Sequence, residues 1–357
     1  MQGQSDEYEL QVTKGLNRVF DDEDTEEQTI ELDDLQLVVF SDHHKGARDG
    51  ADDFMPCERA YHAALGHYLE LGHRLFVLGD AEELWECGPA EVVAAYGETL
   101  ALEGRFLADR RYERFLGNHD DDWRSPRLTD KHLGPSLPSV HVREALKLRL
   151  TRQGDPAGSI FFAHGHQGTS ESDRFAFLSR LVVRHFWRRA QRKFGFSATT
   201  PARSFELRAR HDRAMFRWAR NHPARPILVA GHTHRPVFWQ SQPPRPDRPS
   251  ASDLERQLAE ARAAGAAPAE LAGLRAELEA ARAEERTRAH DRPPTPIDPP
   301  CYFNTGCCSF PDGDVTGLEI AHGTIRLVRW PDDGGKPRPK ILVEADLGEV
   351  LRAVSAN

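Results

Sequence analysis

Leu35-Gln36-Leu37-Val38-Val39-Phe40-Ser41-Asp42-His43-His44 joins a short apolar run to a cluster of polar, metal-capable side chains. Such a run, bounded by polar residues, reads as a buried strand whose carboxyl end delivers Asp42 and His44. The same junction recurs four more times. Leu75 to Leu78 leads into Gly79-Asp80, Tyr112 to Leu116 into Gly117-Asn118-His119-Asp120, Ile160 to Ala163 into His164-Gly165-His166, and Ile227 to Ala230 into Gly231-His232-Thr233-His234.

Between the first strands, Arg59 to Leu71 and Glu91 to Leu107 carry apolar residues at helical spacing, so strand and helix alternate and the fold class is α/β. Further on, Cys301 to Asn304, Val315 to Ile320 and Thr324 to Trp330 read as short strands that complete a sheet begun earlier. In open α/β sheets the carboxyl ends of strands form the crevice where ligands bind, so the five clusters are expected to converge on one point. Each cluster alone is ordinary turn chemistry, but five placed on strand ends are not. The donors are carboxylate, amide oxygen and imidazole without thiolate, a set suited to Mn, Fe or Zn. They exceed the four that one tetrahedral ion takes, so two divalent ions are expected, with Mn²⁺ the first choice.

The formal net charge of -9 over 357 residues argues against a generally nucleic-acid-binding surface, and no stable nucleic-acid complex is expected. No apolar run approaches the ~20 residues that span a bilayer, and Met1 to Glu7 lacks the character of a signal peptide, so a cytoplasmic location is expected. Five scattered cysteines suggest no disulfide framework, and Cys307-Cys308 reads as buried strand.

The expected organisation is an acidic tail over 1–29, with Asp21 to Glu27 its charged run, followed by one domain over 30–357 carrying two insertions, 167–225 and 241–298. In the first, Arg180, Arg184, Arg188 and Arg192 fall at four-residue spacing beside Phe175, Leu178, Leu181, Val182, Phe186 and Trp187. A helical cap results, either packed on the core with solvated arginines or offering peripheral membrane contact through 174–193. In the second, Pro-rich linkers at 242–250 and 291–300 flank Ser252 to Ala289, where leucines at helical spacing are interrupted by Gly265 and Pro268. That pattern predicts a helical hairpin, either merely exposed or a homodimerisation arm.

The motif series D-x-H, G-D, G-N-H-D, H and G-H-x-H, spanning Asp42 to His234, resembles that of the calcineurin-like metallophosphoesterases. The resemblance implies a four-layer core of two mixed β-sheets packed face to face with helices outside. It also implies that Asp42, His44 and His234 hold one metal, Asn118, His164 and His232 the other, and Asp80 bridges both. His119 would act on the substrate's leaving oxygen, and Asp120 would hold the His119 imidazole. A hydroxide bridging two cations ~3.5–4 Å apart would attack a phosphate ester or pyrophosphate in line.

Gly79-Asp80-Ala81-Glu82-Glu83-Leu84-Trp85 and Gly231-His232-Thr233-His234-Arg235-Pro236 are similar to stretches of the UDP-2,3-diacylglucosamine pyrophosphatase branch, which implies a lipid-linked or nucleotide-type pyrophosphate as substrate. This chain differs from that branch in carrying His119 where the branch has Arg, and in the hairpin at Ser252 to Ala289. A phosphomonoester or phosphodiester therefore stays open, as do a single-stranded nucleic-acid phosphodiesterase and a non-catalytic scaffold. No role follows for His43 or His166.

Overall fold

A computed structural model describes residues 2–49, 52–168, 201–238, 251–263, 271–279 and 300–356. The apolar runs become strands of two mixed sheets. One has seven strands, in the order β13 (Lys340–Asp346), β12 (Thr324–Trp330), β11 (Val315–Ala321), β2 (Leu37–Phe40), β3 (Arg74–Leu78), β4 (Tyr112–Phe115) and β5 (Val142–Arg143). The other has six, in the order β1 (Glu27–Glu31), β6 (Ala145–Arg152), β7 (Asp155–Ala163), β8 (Ile227–Ala230), β10 (Tyr302–Thr305) and β9 (Pro236–Val237). β2, β3 and β4 are parallel neighbours in the first sheet, and β7 and β8 in the second. Strands of this kind are buried on both faces, which is why they read as unbroken apolar runs.

Side-chain alternation decides the layers. Leu37 and Val39 of β2 and Phe76 of β3 point into the space between the sheets, where Phe76 meets Phe162 of β7 at a centroid distance of 5.0 Å. Val38, Leu75 and Val77 point the other way, under α2 (Glu58–Glu70) and α4 (Gly97–Ala108). On the far side of the second sheet, Phe161 packs against Phe20 of α1 (Gln2–Phe20), 5.0 Å away, and Trp218 of α6 (Pro201–Asn221), 5.6 Å away. α9 (Leu347–Ser355) buries Leu347, Val350, Leu351 and Val354 in the same core, with Asp346 capping its first turn by accepting from the Glu349 amide at 2.7 Å.

Four expectations need correction. The acidic tail over 1–29 is instead α1 and β1: Val12, Leu16 and Val19 are buried in the main core, and β1 pairs in parallel with β6. Their spacing of four and three residues supplies a narrow apolar stripe that the abundant charges around it mask. Gly15 lets this helix lie directly on the chain, since a Cβ there would stand 2.3 Å from the Gly168 amide. Within the segment expected as cap, 201–221 is the core helix α6, burying Met215 and Trp218. The single helix expected over 91–107 breaks into α3 (Pro89–Ala95) and α4, because Tyr96 leaves helical geometry at φ -120° and ψ 32° and donates its hydroxyl to Asp52 at 2.7 Å. Cys307 and Cys308 are buried but follow β10 in irregular chain, and all five cysteines are free thiols.

The helices α7 (Ala251–Ala263) and α8 (271–279) occupy the stretch read as a hairpin, with Leu254, Leu258 and Leu278 packed together. The arginine stripe Arg180 to Arg192, its aromatic companions, and the linkers at 242–250 and 291–299 lie outside the described residues. Among the described residues no helix is long and apolar enough to cross a membrane.

Candidate metal centre

The carboxyl ends of β2, β3, β4, β7 and β8 open on one crevice, and backbone hydrogen bonds hold the loops together past the strands. The Asp42 amide donates to the Gly79 carbonyl at 3.1 Å, His44 to Asp80 at 3.0 Å and Glu83 to Lys45 at 3.0 Å. Within the second sheet, Gly231 donates to the carbonyl of His164 at 2.9 Å. Gly117 is needed where β4 passes Asp80: a Cβ there would stand 2.0 Å from the Asp80 Oδ1.

Three overlapping donor groups result, one of them His44, Asp80 and His119, so Asp80 belongs to two. Asp42, His44 and His234 bring their ligand atoms within 4.8 Å of one another, as do Asp80, His164 and His232. His234 Nε2 is 3.3 Å from Asp42 Oδ1, His164 Nε2 is 3.1 Å from Asp80 Oδ2, and His44 Nε2 is 3.8 Å from the same oxygen. Asn118 is buried beside them, with an Oδ1 that accepts no hydrogen bond. Asp42, His44, Asp80, His232 and His234 all have φ between 50° and 69°. Such left-handed backbone costs about 1–3 kcal/mol per residue and persists only where the surroundings impose it. Five of the predicted ligands thus carry strained backbone, as do Arg48, Arg110, Ser139, Gln153, Arg225 and His322 elsewhere.

Hydrogen bonds aim the ring nitrogens. His164 Nδ1 donates to the Leu78 carbonyl at 2.8 Å, which turns Nε2 toward Asp80. One oxygen of Glu83 accepts from His44 Nδ1 at 3.0 Å and His119 Nδ1 at 2.7 Å, leaving both Nε2 atoms facing the crevice. A carboxylate behind a metal-binding imidazole orients it and raises its basicity. Asp42 is fixed in turn by the His232 amide, 2.9 Å from Oδ2, and by the Ser41 hydroxyl, itself 2.6 Å from Thr305 Oγ1.

The charge balance points to cation binding. Burial works to raise the Asp42 and Asp80 carboxyls, but neighbouring imidazoles, His234 and His164 for Asp42 and His164 and His119 for Asp80, outweigh it and hold both below the usual range. His44 and His164 respond in kind, whereas burial holds His232 and His234 below the usual imidazole range. Burial opposes the charge of the first pair too, yet the Glu83 hydrogen bond and Asp80 lift His44 to about 10, and Asp80 and Asp42 lift His164 to about 9. In the metal-free protein, protons thus supply the positive charge that the carboxylates demand. Divalent cations would displace those protons, as coordination requires deprotonated donors. With the unsatisfied Asn118 oxygen and the N/O donor set, these residues could hold a metal ion.

Six of the predicted ligands, Asp42, His44, Asp80, His164, His232 and His234, lie with His119 in these donor groups. Asp120 does not take its expected part: its carboxylate turns inward and accepts from the backbone amides of Gly117 at 2.7 Å and Ala81 at 2.8 Å, tying the β4 loop to the β3 loop. Glu83 is the partner of His119 instead, because it sits one layer further out, where it reaches both rings. His43 is also outside the crevice, buried with its ring edge-on to Tyr61 at 4.6 Å and Phe54 at 5.6 Å. His166 lies behind the ligands, 5.5 Å from the His164 ring.

Sequence reasoning quoted Glu83 and Trp85 within the Gly79 to Trp85 stretch without giving them a role, and it missed His211 and Asp212. Trp85 stacks on His119 at a centroid distance of 4.0 Å and donates its indole N–H to the Asn118 carbonyl at 2.7 Å. Glu83 and Trp85 sit three and five residues past Asp80, so proximity to a predicted ligand was their signal. His211 and Asp212, on α6, had none.

No family model matches this chain, and no curated protein matches it.

Proposed function

We propose that this chain is a dinuclear-metal phosphoesterase, a hydrolase of a phosphate ester or pyrophosphate, with the four-layer fold of the calcineurin-like metallophosphoesterases. The observation that supports it most is that Asp80 belongs to two donor groups, one with His44 and His119 and one with His164 and His232, drawn from five strand ends. Asp42, His44 and His234 would hold one cation, Asn118, His164 and His232 the other, and Asp80 would contact both. When bound, the two cations, Mn²⁺ first and Fe or Zn as alternatives, supply the charge that acidifies a water and neutralises phosphoryl oxygens.

The chain's own residues do the rest. His119 and His234 are partly open, with side chains 24% and 29% exposed, so substrate can reach them. Glu83 accepts the His119 Nδ1 proton and Trp85 fixes the ring plane, leaving Nε2 as the proton donor toward a departing oxygen. Burial opposes the charge on His119, but Glu83 and Asp80 raise its pKa and favour the protonated form that a general acid needs. Nucleotide-linked and lipid-linked pyrophosphates head the substrates to be tried, followed by simple mono- and diesters.

The test is a panel of nucleotide, lipid-linked and nucleic-acid phosphates offered to metal-stripped protein with and without Mn²⁺. Metal-restored turnover on at least one member is expected, and His119→Ala should lower it by about 10²–10⁴-fold while two metals remain bound. Absence of restored turnover across the panel overturns the reading.

A further inference from the structure

Behind the donor group of Asp80, His164 and His232, α6 reaches both histidine loops with adjacent residues. His211 Nε2 lies 2.6 Å from the Gly165 carbonyl, and that carbonyl can only accept, so Nε2 carries the hydrogen. His211 Nδ1 then accepts from the Tyr8 hydroxyl of α1 at 2.8 Å, which fixes the tautomer. Gly165, at φ 108°, is the turn between His164 and His166. The His211 ring also stands edge-on to the ring of His232, with centroids 5.1 Å apart and planes at 69°. Its neighbour Asp212 accepts from the Thr233 and Tyr302 hydroxyls, each at 2.9 Å, and so grips the loop carrying His232 and His234. α1 is pinned over the same place, because Gly15 lies against Gly168 and the Arg210 guanidinium covers the Tyr8 ring at 3.9 Å.

We infer that Tyr8 and His211 are positioning residues for the second cation, so that the N-terminal helix sets the geometry, and hence the affinity, of the site built on His164 and His232. This rests on the dinuclear reading above. His211 touches no reacting atom; it acts through the Gly165 carbonyl and the His232 ring. Partners lying behind metal ligands typically govern affinity by about 10–100-fold, and His211 stands behind two ligands at once.

The experiment titrates Mn²⁺ into the metal-stripped full chain, with calorimetry for affinity, native mass spectrometry for stoichiometry, and melting in chelator for the fold. The wild type is expected to bind two Mn²⁺. His211→Leu should weaken one of them by about 10–100-fold. His211→Gln, which keeps an N–H for Gly165 and an oxygen for Tyr8, should recover most of that affinity. Tyr8→Phe removes one hydroxyl and should weaken the same ion by about 2–10-fold. Unchanged affinity for both ions in Tyr8→Phe and His211→Leu overturns the inference, and Tyr8→Phe alone decides if His211→Leu does not fold. A wild type that binds fewer than two Mn²⁺ overturns the dinuclear reading itself.

Discussion

Two polar clusters share the loops after β2 and β3, through Lys45 and Glu82 in one and His44 and Asp80 in the other, and they obey opposite rules. Lys45, Glu82, Glu103 and Arg114 are all buried, and each charge has an opposite within reach: Lys45 Nζ is 3.3 Å from Glu82 and 3.1 Å from Glu103, while Arg114 binds both acids. Tyr112 and Trp123 add hydrogen bonds to the acids at 2.6 and 2.8 Å. One residue along, His44 and Asp80 belong to a cluster where ring nitrogens and carboxylate oxygens face one another and Asn118 Oδ1 has no hydrogen-bond partner. The first cluster pairs its charges without a ligand, although Arg114 Nε has no hydrogen-bond partner, and it locks the loops. The second is incomplete, with lone pairs converging where only protons or cations can satisfy them. Buried charge alone does not mark a site; buried charge that the protein leaves unanswered does.

Asp80→Asn breaks the comparison hardest if it is right. It removes the carboxylate shared by two donor groups, so kcat/KM with Mn²⁺ should fall by about 10³-fold or more, with fewer than two metals retained by elemental analysis. Full activity in this variant would reduce the crevice to one more ionic cluster. Arg114→Met tests the other half: it leaves Glu82 and Glu103 buried with a single cation between them, and urea unfolding in chelator should show a loss of about 3–5 kcal/mol. A loss under about 1 kcal/mol would mean that the paired network is not what locks the loops.

Metal addition should stabilise only through the incomplete cluster. At free Mn²⁺ about 100 times the dissociation constant, unfolding free energy of the wild type should rise by about 2.7 kcal/mol, and by less in Asp80→Asn. The smallest effect is on pH. With His44 lifted to about 10 and His164 to about 9, both rings are protonated in the metal-free protein at neutral pH. Protons then compete with the cation, so Mn²⁺ affinity rises with pH up to about 9, by at most tenfold per unit for each proton displaced. Calorimetry in two buffers of different ionisation heat counts the released protons, and no release would show that these imidazoles are not ligands.

Much of this was legible in the chain before any fold was known. Five apolar runs, each ending in Asp, Asn or His, were enough to infer strands, an α/β class and a shared crevice, because strand burial and strand-end chemistry are local properties written in consecutive residues. The helix α1 escaped because Val12, Leu16 and Val19 are a thin stripe among charges, meaningful only once the second sheet offers a face to cover. Glu83 took the part expected of Asp120 for a similar reason. Both are acids near the G-N-H-D stretch in space, and only the path of the loops decides which carboxylate meets His119 Nδ1 and which meets backbone amides.

What the sequence determined by itself was therefore the inventory: which side chains could bind cations, and that strand ends would present them. Tertiary structure alone decided the pairings, joining residues as distant as Tyr8 and His211, because a hydrogen bond depends on a separation of about 3 Å and a direction, neither of which spacing along a chain can specify.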